Sequence, residues 1–271
     1  MKHVKQQSNI EGEPLTARTV VATTLLGCHP PRLATPTLVR IGTLFGIPAG
    51  TLRVALSRMT AAGELEAVDG GYRLTGDLLR RQARQEEGWH PAMKRWDGGW
   101  NVAVVTVDRR PAAERAELRR AAGSLRMASL REGVWLRPNN LPARRLPDAL
   151  SIVDAQCQWL ESRPAGGRRG SRDLAARLWD VDGWSREASR LRRTMARSID
   201  AIEAGDPDAL RGGSATTIAV MRHLMHDPLL PPELLPSRWP GKALRREYDR
   251  FESGLRRLLE KCVRAVPRAT R

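Results

Sequence analysis

Three features of the 271-residue sequence predict an α+β protein. A helical repeat beginning at Thr51 is stopped by Gly63 and followed by a glycine-centred hairpin. A β-α-β-β-α-β succession runs from Trp100 to Leu160, and helical periodicity dominates beyond Arg172. They correspond to an N-terminal winged helix-turn-helix, a ferredoxin-like middle domain and an all-helical C-terminal domain. The expected boundaries are 15–76 for the winged helix-turn-helix, 77–96 for a helical connector, 97–163 for the ferredoxin-like domain and 172–265 for the helical domain. A chain of this length exceeds the usual size of one hydrophobic core, which favours such a division.

Residues 1–14 are polar and read as a disordered tail. Thr16 is a candidate N-cap for a first helix through Leu26, with Val20, Val21 and Leu25 inward. Thr35-Pro36 reads as an N-cap followed by proline at the first helical position, opening a helix through Phe45 with Leu38, Ile41, Leu44 and Phe45 inward. Gly46 to Gly50 forms a turn. From Thr51 to Ala62, Leu52, Ala55, Leu56 and Met59 share one face, and Gly63 ends the helix as a left-handed residue. Glu64–Val68 and Tyr72–Thr75 are short strands joined by Asp69, Gly70 and Gly71. Asp77 to Glu87 is a charged helix ending at Gly88, and Trp89 to Trp96 punctuates the chain.

In the middle, Trp100–Val107 reads as a strand, Pro111–Ala122 as a helix, Ser124–Leu130 and Gly133–Leu136 as strands, Leu146–Val153 as a helix and Ala155–Leu160 as a last strand. Arg163–Ser171 is rich in Pro, Gly and Arg and reads as a linker; it lacks the Lys-Ser/Thr and the strand–helix context of a phosphate loop. Helices are expected near Arg172–Trp179, Trp184–Glu203, Pro207–Met225 and Lys242–Val263. The prolines of residues 227–236 break the last two apart.

The net charge is +16, with a pI near 11.2. Such a charge favours a polyanionic partner, because binding nucleic acid releases counterions from its phosphates. The distribution is uneven: 11 basic against 8 acidic residues over 1–90, 13 against 8 over 91–165, and 22 against 14 over 166–271. The expected DNA reader is thus the least basic third, and only 5 of the 46 basic residues are Lys. No apolar run is long enough to span a membrane and the start is not a signal peptide, so a cytoplasmic protein without membrane contact is expected. Cys28, Cys157 and Cys262 are isolated, without zinc or disulfide spacing.

No residue constellation marks an enzyme. His223 and His226 lie one turn apart beside Asp227 but have no further metal ligand at a telling spacing, so a capping or packing role is expected. Asp108, at the end of the first middle strand, could hold a metal, and would do so in the competing reading of the chain as a metal-dependent nuclease. Turn-starting aspartates are commonplace. Trp89, Trp96 and Trp100 could stack a planar ligand or single-stranded bases, but domain-boundary packing is the expected role, since Trp has an apolar body and one N–H suited to a wet edge. Neither a cofactor nor a metal is expected.

The sharper expectation concerns the helix of residues 51–62. Advancing about 100° per residue from its buried seam points Val54, Ser57 and Ala61 outward, flanked by Thr51, Arg53 and Arg58. Arginine can bridge guanine or phosphate, Ser can bond base edges and Val can pack on a thymine methyl. With Tyr72 and Arg73 on the hairpin, the candidate DNA contacts are Thr51, Arg53, Val54, Ser57, Arg58, Tyr72 and Arg73.

Three blocks then resemble the PaaX-like transcriptional repressors of bacterial phenylacetate catabolism. They are Leu52-Arg-Val-Ala-Leu-Ser-Arg-Met59; Trp96-Asp-Gly-Gly-Trp100 with Gly133-Val-Trp-Leu136; and Asp227-Pro-Leu-Leu-Pro-Pro-Glu-Leu-Leu-Pro236 with Trp239-Pro-Gly241. The resemblance implies a homodimer that binds an inverted-repeat operator in double-stranded DNA through a winged helix. It also implies a middle domain akin to CRISPR-associated small nucleases, and release from DNA by phenylacetyl-coenzyme A, an acyl-CoA effector. It assigns no effector-binding residue. This chain departs from the family pattern in its short wing, with Asp69 at the tip.

Overall fold

The computed structural model describes residues 16–142 and 145–266. The tail expected over residues 1–14 lies outside them. Among the described residues there are ten α-helices, one short 3-10 helix and seven strands in two antiparallel sheets, an α+β architecture. Contacts divide the chain into two compact units, one of residues 16–86, 188–225 and 242–266, the other of residues 87–187 and 226–241.

In the first unit, α1 (Ala17–Leu26) starts at Thr16, whose hydroxyl accepts the Thr19 N–H at 3.2 Å. It buries Val20, Val21 and Leu25. A strand not expected from the sequence, β1 (Arg32–Ala34), runs directly into α2 (Thr35–Leu44). The expected cap therefore shifts by one residue: Ala34 is the N-cap, and the Thr35 N–H is bonded to the Gly70 carbonyl at 3.0 Å. Leu38, Ile41 and Phe45 are buried, whereas Leu44 is only half-buried.

Helix α3 (Ala49–Ala61) buries Leu52, Leu56 and Met59. It closes with two bonds that satisfy its last carbonyls, Glu64 N–H to Met59 and Gly63 N–H to Thr60, with Gly63 at φ +69°. The hairpin is β2 (Leu65–Val68) and β3 (Gly71–Leu74), turning through Asp69 and Gly70; β3 is central, with β1 on its other edge. Gly71 faces Ala34 so closely that a Cβ would lie 2.2 Å from the Leu33 carbonyl oxygen. The chain continues into α4 (Gly76–Trp89), which runs through Gly88, where the sequence suggests a stop. Its buried Gln82 amide donates to the Leu26 and Cys28 carbonyls, both at 3.0 Å.

The second unit contains β4 (Trp100–Val105), α5 (Ala112–Ser124), β5 (Ala128–Arg131), β6 (Val134–Pro138), α6 (Pro147–Asp154) and β7 (Cys157–Ser162). The sheet order is β5-β6-β4-β7, every neighbouring pair antiparallel. The strand expected at Ser124–Leu130 is shorter. Ser124 closes α5, and the chain turns through Arg126 at φ +61° before β5 begins. Alternation along β4 sends Ala103 and Val105 into a core with Leu118, Ala122 and Val153, and Trp100 and Val102 into another with Trp96 and Leu136.

The segment expected to be a linker is instead half helical. Gly166 and Gly167 take left-handed conformations, and α7 (Gly167–Leu178) starts there, packing Ala175 into the core of Trp100. The Ser171 hydroxyl, 2 % exposed, accepts the Trp100 indole N–H at 3.3 Å, so the stretch is anchored rather than flexible.

Helices α8 (Val181–Ala204), α9 (Ala209–Met225) and α10 (Gly241–Ala265) follow, with the 3-10 turn Pro232–Leu234 before α10. From residue 188 of α8 onward, α8, α9 and α10 group with the N-terminal elements, while α7 and residues 226–241 group with the four-stranded sheet. The sequence is punctuated by prolines and glycines, whereas these units are set by which apolar faces meet.

Candidate nucleic-acid interface

The exposed side of α3 follows from its seam. With Leu52, Leu56 and Met59 buried, Thr51, Arg53, Val54, Ser57 and Arg58 are all exposed. Val54 is 50 % exposed, an apolar side chain left in water on a helix that buries its other face. Pro48 is the N-cap and supplies no side-chain bond, so the first-turn N–H groups of α3 are not capped by it. Among the described residues neither Arg53 nor Arg58 is in an ion pair or side-chain hydrogen bond.

The hairpin residues differ. Tyr72 is half-buried on β3, opposite Leu33 and Ala67. Arg73 is exposed but engaged by the adjacent strand, its Nη2 2.7 Å and its Nε 2.9 Å from the Glu66 carboxylate. The candidate set thus splits into five exposed α3 residues, four polar and Val54 apolar, and two hairpin residues already in contact.

Two further features lie outside the candidate set. Arg32 donates to the Asp69 carbonyl at 2.9 Å and ties β1 to the tip of the hairpin. On α4, Arg81 is held below the usual arginine range, first by burial and then by the neighbouring charges of Arg222, Arg18 and Arg84. Positive charge therefore accumulates within this unit despite its small net excess, and the helical spacing of Arg80, Arg81 and Arg84 is the signal that could have pointed to it. Arg18 is itself held by Glu64, whose carboxylate takes both its Nε and its Nη2.

In the second unit lie most of the residues weighed above for metal binding and stacking. Asp108 is exposed beyond the end of β4, and among the described residues no three His, Cys, Asp or Glu side chains gather as metal ligands. Asp227 is 2 % exposed and accepts the Leu229 N–H at 2.8 Å, holding Leu229 at φ +50°. The Leu229 carbonyl in turn accepts from Asn140 at 2.9 Å and Arg137 at 3.3 Å, so the proline-rich block is a structural clasp. Trp96 and Trp100 are buried core residues, and Trp184 stacks on Trp239 with centroids 4.4 Å apart.

This geometry defines an α+β protein whose first unit presents an uncommitted polar helix face beside a short hairpin. Residues 16–78 match the family described as PaaX-like protein, residues 93–170 the PaaX protein central Cas2-like domain, and residues 181–265 the PaaX-like protein C-terminal domain. The chain belongs to the PaaX-like family, a family of regulators tied to phenylacetate catabolism. Among solved structures it is similar to the uncharacterized protein Rv0674 from Mycobacterium tuberculosis, at 38 % identity and TM-score 0.70, covering 92 % of this chain and 99 % of that one. No curated protein matches the chain. No helix among the described residues is long and apolar enough to cross a membrane.

Proposed function

We propose that this protein is a cytoplasmic, sequence-specific DNA-binding transcriptional regulator, a homodimeric repressor that an acyl-coenzyme A such as phenylacetyl-coenzyme A releases from an inverted-repeat operator. In this reading α1 to β3 are a winged helix-turn-helix with α3 as recognition helix, and β4 to β7 with α5 and α6 are a ferredoxin-like domain. The proposed domain limits are those of the sequence. The observation that carries the proposal is the face of α3. Thr51, Arg53, Val54, Ser57 and Arg58 are exposed together, and among the described residues the two guanidiniums are in no ion pair. Arg and Ser read base edges, Val packs on thymine methyls, and a helix so presented fits the major groove.

Dimerisation supplies what one module lacks. The first 90 residues carry an excess of only three positive charges, and two linked readers gain through effective concentration on paired half-sites. Tyr72 and Arg73 of the hairpin are proposed as flanking contacts, Arg73 needing to leave Glu66 to reach a phosphate. Family membership supports the regulatory role and the effector class, and the basic middle and C-terminal thirds suit a ligand that carries phosphates.

Footprinting on genomic DNA, with and without magnesium, tests the reading. A protected inverted repeat without strand cleavage is expected, and phenylacetyl-coenzyme A should abolish it where free coenzyme A does not. Magnesium-dependent cleavage would replace the proposal with the nuclease reading. Sequence-independent protection that collapses with salt would reduce the protein to a basic scaffold.

A further inference from the structure

The first unit contains a cavity of about 440 Å³, all of whose lining residues belong to that unit. Val20 of α1, Ile41 of α2 and the adjoining Phe45 form one wall. Leu210 and Ile218 of α9 with Leu255 and Leu259 of α10 add further apolar lining. Thr23, Thr37 and Ser214 add hydroxyls to this apolar surface. The fixed charges of its lining cancel, Arg32 and Arg256 against Glu252 and Glu260, and Arg256 is bonded to Glu252 at 2.8 Å.

We propose that this cavity is a binding site for a compact, uncharged apolar molecule, of the size of an aromatic ring system or a short acyl chain with one hydrogen-bonding end. The volume lies in the range of small-molecule sites and is too small for a peptide helix. The lining offers apolar contact and a few hydroxyls but no excess of either charge, so a polyphosphate or a carboxylate would enter without a counter-charge and lose its hydration. A neutral apolar molecule meets no such cost.

The site also has a route to the reader. Ile41 lies on α2, which packs directly against α3, and Phe45 is its C-cap, so a molecule that spreads this wall shifts the support of the recognition helix. A ligand that binds one setting of α2 better than the other shifts the population between them. That regulatory consequence rests on the proposed DNA reading; the ligand site itself does not.

Cys28 lines the cavity and is a natural reporter, since Cys157 and Cys262 are buried and outside it. Burial pushes the Cys28 thiol up, with Arg256 opposing and Glu252 adding to the shift. Its thiolate therefore forms above the ordinary cysteine range, and labelling is best followed at mildly alkaline pH.

The test uses the full chain without DNA and the neutral dye N-phenyl-1-naphthylamine, whose fluorescence rises in apolar sites. Saturable binding of one dye per chain is expected, with a matching slowing of N-ethylmaleimide labelling at Cys28, read by peptide mass spectrometry. Ser214→Trp should fill the cavity and weaken the dye by about tenfold or more. If that variant does not fold, protection of Cys28 in the unaltered protein decides. No saturable binding up to about 100 µM, or binding that leaves Cys28 labelling unchanged, overturns the proposal. Unchanged affinity in a folded Ser214→Trp variant does so as well. None of these outcomes touches the DNA reading, and loss of DNA binding in α3 variants leaves dye binding intact.

Discussion

On α3, Arg53 and Arg58 stand in water with no acidic partner among the described residues, while in the second unit Arg126, Arg137 and Arg145 are withdrawn from it. Arg137 is 5 % exposed and spends its donors on neutral acceptors, the Pro138, Leu125 and Leu229 carbonyls and Asn140 Oδ1, at 2.8 to 3.3 Å. Arg126 and Arg145 share the carboxylate of Glu87, itself 12 % exposed. Burial, and then the charge of Arg145, hold the Arg137 guanidinium well below its usual range. The same residue type thus builds a scaffold in one unit and faces outward in the other. A net charge of +16 therefore overstates the charge free to meet a polyanion, because part of it is locked into the fold.

The contrast breaks most visibly in the second unit. Arg137→Met should remove four buried donor contacts, leaving Asn140 Oδ1 without its donor and the Leu125 and Leu229 carbonyls with one donor fewer, and destabilise the protein by about 3–5 kcal/mol, since hydrogen bonds to a charged group contribute about 1.5–3 kcal/mol each. Glu87→Gln should fall in a similar range, because Arg126 and Arg145 would lose their shared counter-charge. Urea denaturation read by tryptophan fluorescence measures both. A loss within 0.5 kcal/mol would mean that water reaches these groups.

The hairpin anchor ranks next. In Gly71→Ala the added Cβ would press on the backbone of β1, which can yield only by leaving β3, at a cost of about 1–3 kcal/mol. Amide hydrogen exchange should show β1 opening before the helices. An unaltered exchange pattern would mean that the close approach relaxes without loss of pairing.

The elements that the sequence reveals and those it hides differ for a physical reason. The faces of α1, α2 and α3 are legible because Val20, Val21, Leu38, Ile41, Leu52, Leu56 and Met59 recur at helical spacing, and Gly63 supplies the stop. Strand β1 is hidden because three residues after two prolines have no period; it exists only through pairing with Tyr72 and its neighbours on β3. The stretch from Arg163 to Ser171 misleads because glycine-rich composition signals flexibility, whereas here Gly170 fits against the Ala165 carbonyl and Ser171 meets Trp100. The buried arginines give no sequence signal, since arginine ordinarily reads as surface. The exposed set on α3 was legible from the helical period, while the capture of Arg73 by Glu66 depends on strand register, Glu66 opposite Arg73, that periodicity does not fix.

On the reader, the comparison predicts function lost without stability. Arg53→Ala and Arg58→Ala should each leave the unfolding midpoint within about 0.5 kcal/mol of the parent, because neither side chain supports the core. If they touch base edges, each should weaken the cognate operator by about 1–3 kcal/mol and leave non-specific DNA less affected. Uniform weakening on every sequence would reassign them to phosphates. An unchanged footprint in both would remove α3 from recognition.

The smallest effect concerns Arg73, which lies between the two regimes: exposed like Arg53, yet paired like Arg126. Its partner Glu66 is half exposed, and such surface pairs contribute little to stability, so Glu66→Gln should change the unfolding free energy by no more than about 0.5 kcal/mol. Its effect on DNA should have the opposite sign to that of the α3 variants. Removing a negative charge from the hairpin and freeing Arg73 for a phosphate should raise affinity on all sequences alike and steepen the salt dependence by about one unit of log–log slope. Band shifts on cognate and random duplexes across a salt series would resolve it. If Glu66→Gln tightens only the cognate site, Arg73 reads bases rather than backbone; if it changes neither affinity nor slope, the hairpin stays clear of the DNA and the short, Asp69-tipped wing is not part of the interface.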